Sequence, residues 1–215
     1  MSPKRYGRTK KNFVATWQRA TAGRRLPAGQ PFVLLFQDEA RFGRISEARR
    51  RCWAPFPQRP HAARQVVRQY VYAVVAVSPL DGRLCSLVLP WMNAQTMSLF
   101  LRHAARSFAT ERCVMFLDQA GWHLATELHV PRRIHLCSLP AHSPELNPVE
   151  NLWKHIRQNY FGQGALDSLQ EVEERLCRAF QALDQQPEVV KSLCGYWGIR
   201  AISTRPLPPD PIKPT

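Results

Sequence analysis

Acidic residues are scarce in this chain of 215 residues: 16 Asp plus Glu stand against 30 Lys plus Arg, a formal net charge of +14. The first 30 residues contain no acid at all. That balance argues against a cationic partner and for a polyanion, nucleic acid ahead of an anionic membrane surface. Long apolar runs are missing too. The longest, Val71 to Val77, has the length of a strand and is far short of a bilayer span, so no membrane segment is expected. The N-terminus carries Lys and Arg without the apolar stretch of a secretory signal. Six cysteines are scattered with no C-x-x-C pair, which removes the common zinc patterns. A chain this long has no need of a disulfide framework, so they read as reduced, buried thiols of a cytosolic protein. What is present is a core: 45% apolar residues and six Trp exclude disorder.

The basic charge falls in two stretches. Residues 1–30 hold Lys4, Arg5, Arg8, Lys10, Lys11, Arg19, Arg24 and Arg25, an arm suited to a phosphate backbone or else a solvated leader. The second holds Arg41, Arg44, Arg49, Arg50, Arg51, Arg59, Arg64 and Arg68 around Trp53 and Phe56. Arg interleaved with aromatics suits backbone contact and base stacking, although a solvated loop or hairpin accounts for the same pattern. Lys10, Lys11, Arg41, Arg44, Arg49, Arg50 and Arg51 are the candidate DNA contacts. Residues 201–215 form a Pro-rich tail, leaving 31–200 as the expected folded domain.

Within that domain, the continuous apolar run from Phe32 to Gln37 predicts a strand buried on both faces. Gln69–Ser78 and Arg83–Leu89 predict a hairpin across Pro79-Leu80-Asp81-Gly82, where Pro presets φ and Gly supplies a positive one. Met97, Phe100, Leu101, Ala104 and Phe108 recur at helical spacing behind a cap at Asn93. Cys113–Leu117 and Ile134–Ser138 are further strands, with a short helix after Asp118. Asn147-Pro148 opens a helix with Val149, Leu152, Trp153 and Ile156 on its apolar stripe and Glu150 at the edge of that stripe. Ser168 and Glu171 predict a capping box for the next helix, and 187–199 a last one. The order is compatible with an α/β fold, a mixed sheet flanked by helices.

Three acids sit at the edges of these apolar segments: Asp38, Asp118 and Glu150. Carboxylates brought to one point repel unless divalent metal lies between them, and two metals so held can cut or join phosphodiesters. Each acid also has a bland reading. Asp38 could cap a turn, with Glu39 an equal candidate beside it. Asp118 could cap the short helix that follows. Glu150 could be the reciprocal partner in a capping box with Asn147.

The surrounding motifs favour the first reading. Gln-Asp-Glu-Ala-Arg-Phe-Gly at 37–43, Leu-Asp-Gln-Ala-Gly-Trp-His at 117–123, and Leu-Pro-Ala-His-Ser-Pro-Glu-Leu-Asn-Pro-Val-Glu-Asn-Leu-Trp at 139–153 occur in that order. Together, over about 32–160, they resemble the DDE catalytic domain of mariner-like transposases of bacterial insertion sequences. The resemblance implies a ribonuclease-H-like fold whose catalytic and metal-holding acids are Asp38, Asp118 and Glu150, with His123 and Asn147 in support. Gln119 stands where many relatives have Asn, His142 where Tyr is common, and Glu145 where Asp is commoner. Asp118 and Glu150 lie slightly closer in sequence than is typical. None of these departures removes a metal ligand.

The resemblance further implies two Mg²⁺ ions, with Mn²⁺ able to substitute, and phosphoryl transfer without a covalent intermediate. Double-stranded DNA, as transposon ends and target, is then the expected partner. A homodimer is expected because two DNA ends must be joined. Residues 1–30 are too short for the helix-turn-helix domains of complete relatives, so a separately encoded half is expected to read the ends. A cytoplasmic, nucleoid-associated protein follows. The rival reading is a catalytically inactive DNA-binding remnant. A serine hydrolase built on Ser143 and His142 is excluded by the lack of a Gly-x-Ser-x-Gly elbow and by a charge with no role there.

Overall fold

The computed structural model describes residues 32–45, 55–58, 65–123, 125–140, 144–161 and 165–195. Its centre is β1 (Phe32–Ile45), flanked on one side by β2 (Val66–Val77) and β3 (Leu84–Leu89) and on the other by β4 (Arg112–Leu117) and β5 (Ile134–Ser138). The sheet order is β3-β2-β1-β4-β5. β1–β2 and β2–β3 are antiparallel, whereas β1–β4 and β4–β5 are parallel. The mixed sheet with flanking helices is the architecture expected for a ribonuclease-H-like domain.

The predicted strand Phe32–Gln37 proves to be only the first half of β1. Val33 to Phe36 are buried because β1 is central there and covered on both faces. Beyond Phe36 the ladder with β4 stops, and β1 continues to Ile45 paired with β2 alone. Its pattern changes to alternation, with Ala40 and Phe42 inward and Arg41 outward. Asp38 therefore lies mid-strand, not at a strand end. Arg41 and Arg44 likewise lie on a strand, not in a loop. Near the end of this ribbon the register shifts between Gly43 and Ile45, and a Cβ at Gly43 would collide with the Gln69 carbonyl.

Helices cover both faces. α1 (Ala94–Ser107) buries Met97, Phe100, Leu101 and Ala104 against Val33, Leu35, Val74 and Met115. Asn93 caps it as predicted: its Oδ1 accepts from Thr96 N at 2.9 Å, and Thr96 Oγ1 accepts from Asn93 N at 2.9 Å. The opposite face carries α2 (Val149–Tyr160), α3 (Leu169–Asp184) and α4 (Pro187–Cys194) over Leu34, Phe36, Phe42 and Val114. Pro148 already has helical angles, and Asn147 Oδ1 accepts from Val149 N at 3.2 Å. Asn147 thus caps α2, although regular helix begins one residue later than predicted. Ser168 Oγ accepts from Glu171 N at 3.1 Å, but Glu171 reaches back to Asp167 N instead of to Ser168. α4 ends at Cys194; the predicted continuation to 199 lies outside the described residues, as do the arm at 1–30 and the tail at 201–215. No helix among the described residues is long and apolar enough to cross a membrane.

The hairpin turn behaves as its sequence demands. Gly82 has φ 80°, and a Cβ there would also strike the Pro187 carbonyl at the start of α4. Gly82→Ala should therefore destabilise the fold by about 2 kcal/mol or more, through left-handed strain plus displacement of α4. Chemical denaturation with unchanged m-value is the measurement that checks it.

Candidate functional site

β1 and β4 run parallel with Phe36 opposite Phe116. The ladder ends at that pair, and Asp38 and Asp118 each follow it by two places in sequence, Asp38 still on β1 and Asp118 just past the end of β4. Alternation puts Asp38 on the face of Leu34, Phe36 and Ala40, which α2 covers. There Trp153 Nε1 donates to Asp38 Oδ2 at 3.0 Å. Trp153 is itself buried, its ring edge-on to Phe42 of β1 at 5.9 Å and to Phe180 of α3 at 6.4 Å.

Asn147 makes a second tie between the same elements. Its Nδ2 donates to the Gln37 carbonyl at 3.1 Å. Glu150, between Asn147 and Trp153 in sequence, is exposed in the first turn of α2. Among the described residues its carboxylate accepts no hydrogen bond, so it does not close a capping box with Asn147. It is instead close enough for its charge to act on Asp38.

Burial pushes the Asp38 carboxyl up from 3.8 to about 7; the Glu39 charge adds to the rise, the Trp153 bond opposes it, and the Glu150 charge adds again. A desolvated carboxylate whose charge is opposed by neighbouring acids, with hard oxygen donors, suits a divalent cation such as Mg²⁺ or Mn²⁺.

Asp118 follows the last residue of β4, with a half-exposed side chain. Its Oδ1 accepts from Ala120 N at 3.0 Å, capping the 3₁₀ turn Gly121–His123 as the bland reading anticipates. The same oxygen lies 2.9 Å from His123 Nδ1. His123 Nε2 lies 2.8 Å from Glu39 Oε1, which also accepts from Trp122 Nε1 at 3.0 Å. Burial pulls the His123 pKa down, but the hydrogen bond and charge of Glu39, joined by Asp118, outweigh it and hold the ring above its usual value. Ligand atoms of Glu39, Asp118 and His123 lie within 4.8 Å of one another. The same atoms are also bonded to one another: Nε2 to the Glu39 carboxylate, and Nδ1 to the Asp118 carbonyl at 3.2 Å with the Asp118 carboxylate beside it. The group is better described as an acid–imidazole–acid bridge.

Sequence reading passed over two participants. Glu39 was visible only as a second acid beside Asp38, and Trp153 only as a stripe residue of α2. Among the basic candidates, Arg41 is exposed, its guanidinium 5.3 Å from the Tyr70 ring and 5.5 Å from that of Tyr72. Arg44 donates to the Leu166 carbonyl at 2.8 Å and to Gln69 Oε1 at 2.9 Å, fastening the ribbon to the segment before α3. Lys10, Lys11, Arg49, Arg50 and Arg51 lie outside the described residues.

The profile of the DDE superfamily endonucleases matches residues 33–173. The uncharacterized protein y4pE/y4sA of Sinorhizobium fredii is 37% identical over 125 residues, 58% of this chain and 93% of that protein. Among solved structures, the Mos1 strand transfer complex superposes with a TM-score of 0.54 at 15% identity, over 87% of this chain and 61% of the Mos1 chain. The Mos1 mariner paired end complex with Mn gives 0.56 at 15% identity, over 92% and 64%. At such identity the likeness is one of fold. The chain spans about three fifths of the first of those Mos1 chains.

The Asp38 shift sets a pH dependence. Between pH 4 and 7 the unfolded chain has released this proton while the folded chain keeps it, so stability falls as pH rises, by on the order of 4 kcal/mol in all. His123, with its raised pKa, contributes in the same direction. In chelator-treated protein, Asp38→Asn should flatten the decline and raise Tm at pH 8 by several degrees. Calorimetry at pH 5 and pH 8 checks this; an Asn variant that melts lower at pH 8 would contradict the assigned environment.

Proposed function

The chain belongs to the DDE superfamily endonucleases, whose profile runs through all three acids, and from that premise we propose that it is the catalytic part of a DNA transposase, performing metal-dependent strand cleavage and strand transfer in cut-and-paste transposition. The observation that carries this reading is the double tie between β1 and the helix that bears Glu150: Trp153 Nε1 bonds the buried Asp38 carboxylate and Asn147 bonds the Gln37 carbonyl beside it. Asp38, Asp118 and Glu150 would hold two Mg²⁺ ions, with Mn²⁺ as substitute. Bound there, the ions supply activation of the attacking hydroxyl and stabilisation of charge on the leaving oxygen.

The chain's own residues do the rest. Trp153 keeps one Asp38 oxygen oriented toward α2. Asn147 fixes the first turn of α2 to the backbone immediately before Asp38. His123 holds Asp118 at the end of β4. No side-chain nucleophile is needed, so no covalent protein–DNA intermediate forms. The net charge of +14 draws DNA to the protein. Arg41, exposed beside Tyr70 and Tyr72, is placed to touch a phosphate backbone. Joining two DNA ends requires two active sites, which a homodimer provides.

Asp118→Asn should reduce Mg²⁺-dependent nicking of supercoiled DNA by on the order of 10³-fold while DNA affinity is kept or strengthened, because a negative charge near phosphate is removed. Undiminished nicking by that variant would sink the reading, and wild-type protein that binds but never nicks would leave an inactive DNA-binding remnant. DNA affinity should also fall steeply with salt, a log–log slope of several units between about 50 and 200 mM. A flat salt response would remove the phosphate backbone as the partner.

A further inference from the structure

We propose that Glu39 is a positioning residue for the metal site: through His123 it fixes the Asp118 carboxylate in one orientation. This rests on the reading of Asp118 as a metal ligand.

Glu39 neighbours Asp38 in sequence but points the other way. Alternation along β1 sends Asp38 to the α2 face and Glu39 to the α1 face, where Trp122 packs against the core. The Glu39 side chain is 6% exposed and that of His123 1%. A buried carboxylate is costly unless charge and hydrogen bonds answer it. Here both answers meet on one oxygen: Trp122 Nε1 at 3.0 Å and His123 Nε2 at 2.8 Å. Nε2 anchors one side of the buried ring, and Nδ1 on the other side meets Asp118 twice, at the backbone carbonyl, 3.2 Å away, and at Oδ1, 2.9 Å away.

Asp118 needs that restraint more than its partners do. It lies beyond the last residue of β4, and its side chain is 58% exposed. An exposed aspartate on a loop samples several rotamers. Ala120 N donates to Oδ1 at 3.0 Å, and His123 Nδ1 lies against the same oxygen while also bonded to the Asp118 carbonyl. Oδ2 has no partner among the described residues, so it is the oxygen left for an ion. Outer partners of this kind typically change metal affinity by about 10–100-fold when removed.

The test compares wild type, Glu39→Ala, Glu39→Gln and Asp118→Asn. Mn²⁺ binding is read by titration calorimetry, and the imidazole N–H protons of His123 by NMR in metal-free protein. Glu39→Ala should lose the protected His123 N–H signal and weaken Mn²⁺ about tenfold or more, with cleavage partly restored at high Mn²⁺. Glu39→Gln, which keeps the acceptor oxygen, should recover most of the affinity. Loss of the N–H signal with unchanged Mn²⁺ affinity would overturn the proposal, leaving the bridge a core feature. Glu39→Gln as damaging as Asp118→Asn would also overturn it, by making Glu39 a direct ligand. Failure of the underlying reading looks different: wild type itself would neither bind Mn²⁺ nor nick DNA, and the positioning role would fall with it.

Discussion

A buried indole N–H aimed at a buried carboxylate, Trp153 to Asp38, is the contact on which the site's geometry turns. It joins α2 to the centre of the sheet, and it works because Trp153 cannot move: Phe42 and Phe180 pack against its ring. Residues three apart on a helix share a face, so anchoring Trp153 also sets Glu150 one turn earlier. Asn147 closes the other end, bonded to the Gln37 carbonyl. Glu150 is thus bracketed by two fasteners that grip consecutive residues of β1. Few contacts suffice because each lies between rigid elements.

The cost of this arrangement is concentrated in three residues. Gln37 is wholly buried, and among the described residues neither of its side-chain amide atoms has a hydrogen-bond partner. Asp38 is desolvated and faces another acid. Glu39 is buried and depends on His123 and Trp122. Apolar residues of similar size would suit a sheet centre better. Local rules broken together in this way, inside a core that otherwise obeys them, mark a place shaped for chemistry and not for stability.

Much of this was legible in the residues because the signals were local. The positive φ at Gly82, the Asn93 and Ser168 caps and the five apolar strand segments each depend on a few neighbours in sequence. The second half of β1 was not legible for a physical reason. An unbroken apolar run reports a strand covered on both faces, and the run stops where β1 loses its β4 neighbour although the strand does not. Arg44 shows the same limit: its charge reads as a DNA contact, but its place in the fold commits it to Leu166 and Gln69. Trp153 and Glu39 were hidden for a related reason. Each works through a partner more than 80 residues away in sequence, which no local pattern encodes.

The three acids proposed as metal ligands are held by three different kinds of support. Asp38 sits mid-strand, where ladder bonds to β2 fix the backbone and Trp153 fixes the side chain. Glu150 rides on a helix whose first turn is pinned to the sheet by Asn147. Asp118 has neither support, since β4 ends at Leu117. Its position past the strand end frees it from alternation, so His123 reaches it from the α1 face. The bridge from Glu39 through His123 uses that freedom. A rigid group on one side of the sheet then meets the residue that follows β4, and the adjacent pair Asp38–Glu39 addresses both faces from a single point on β1.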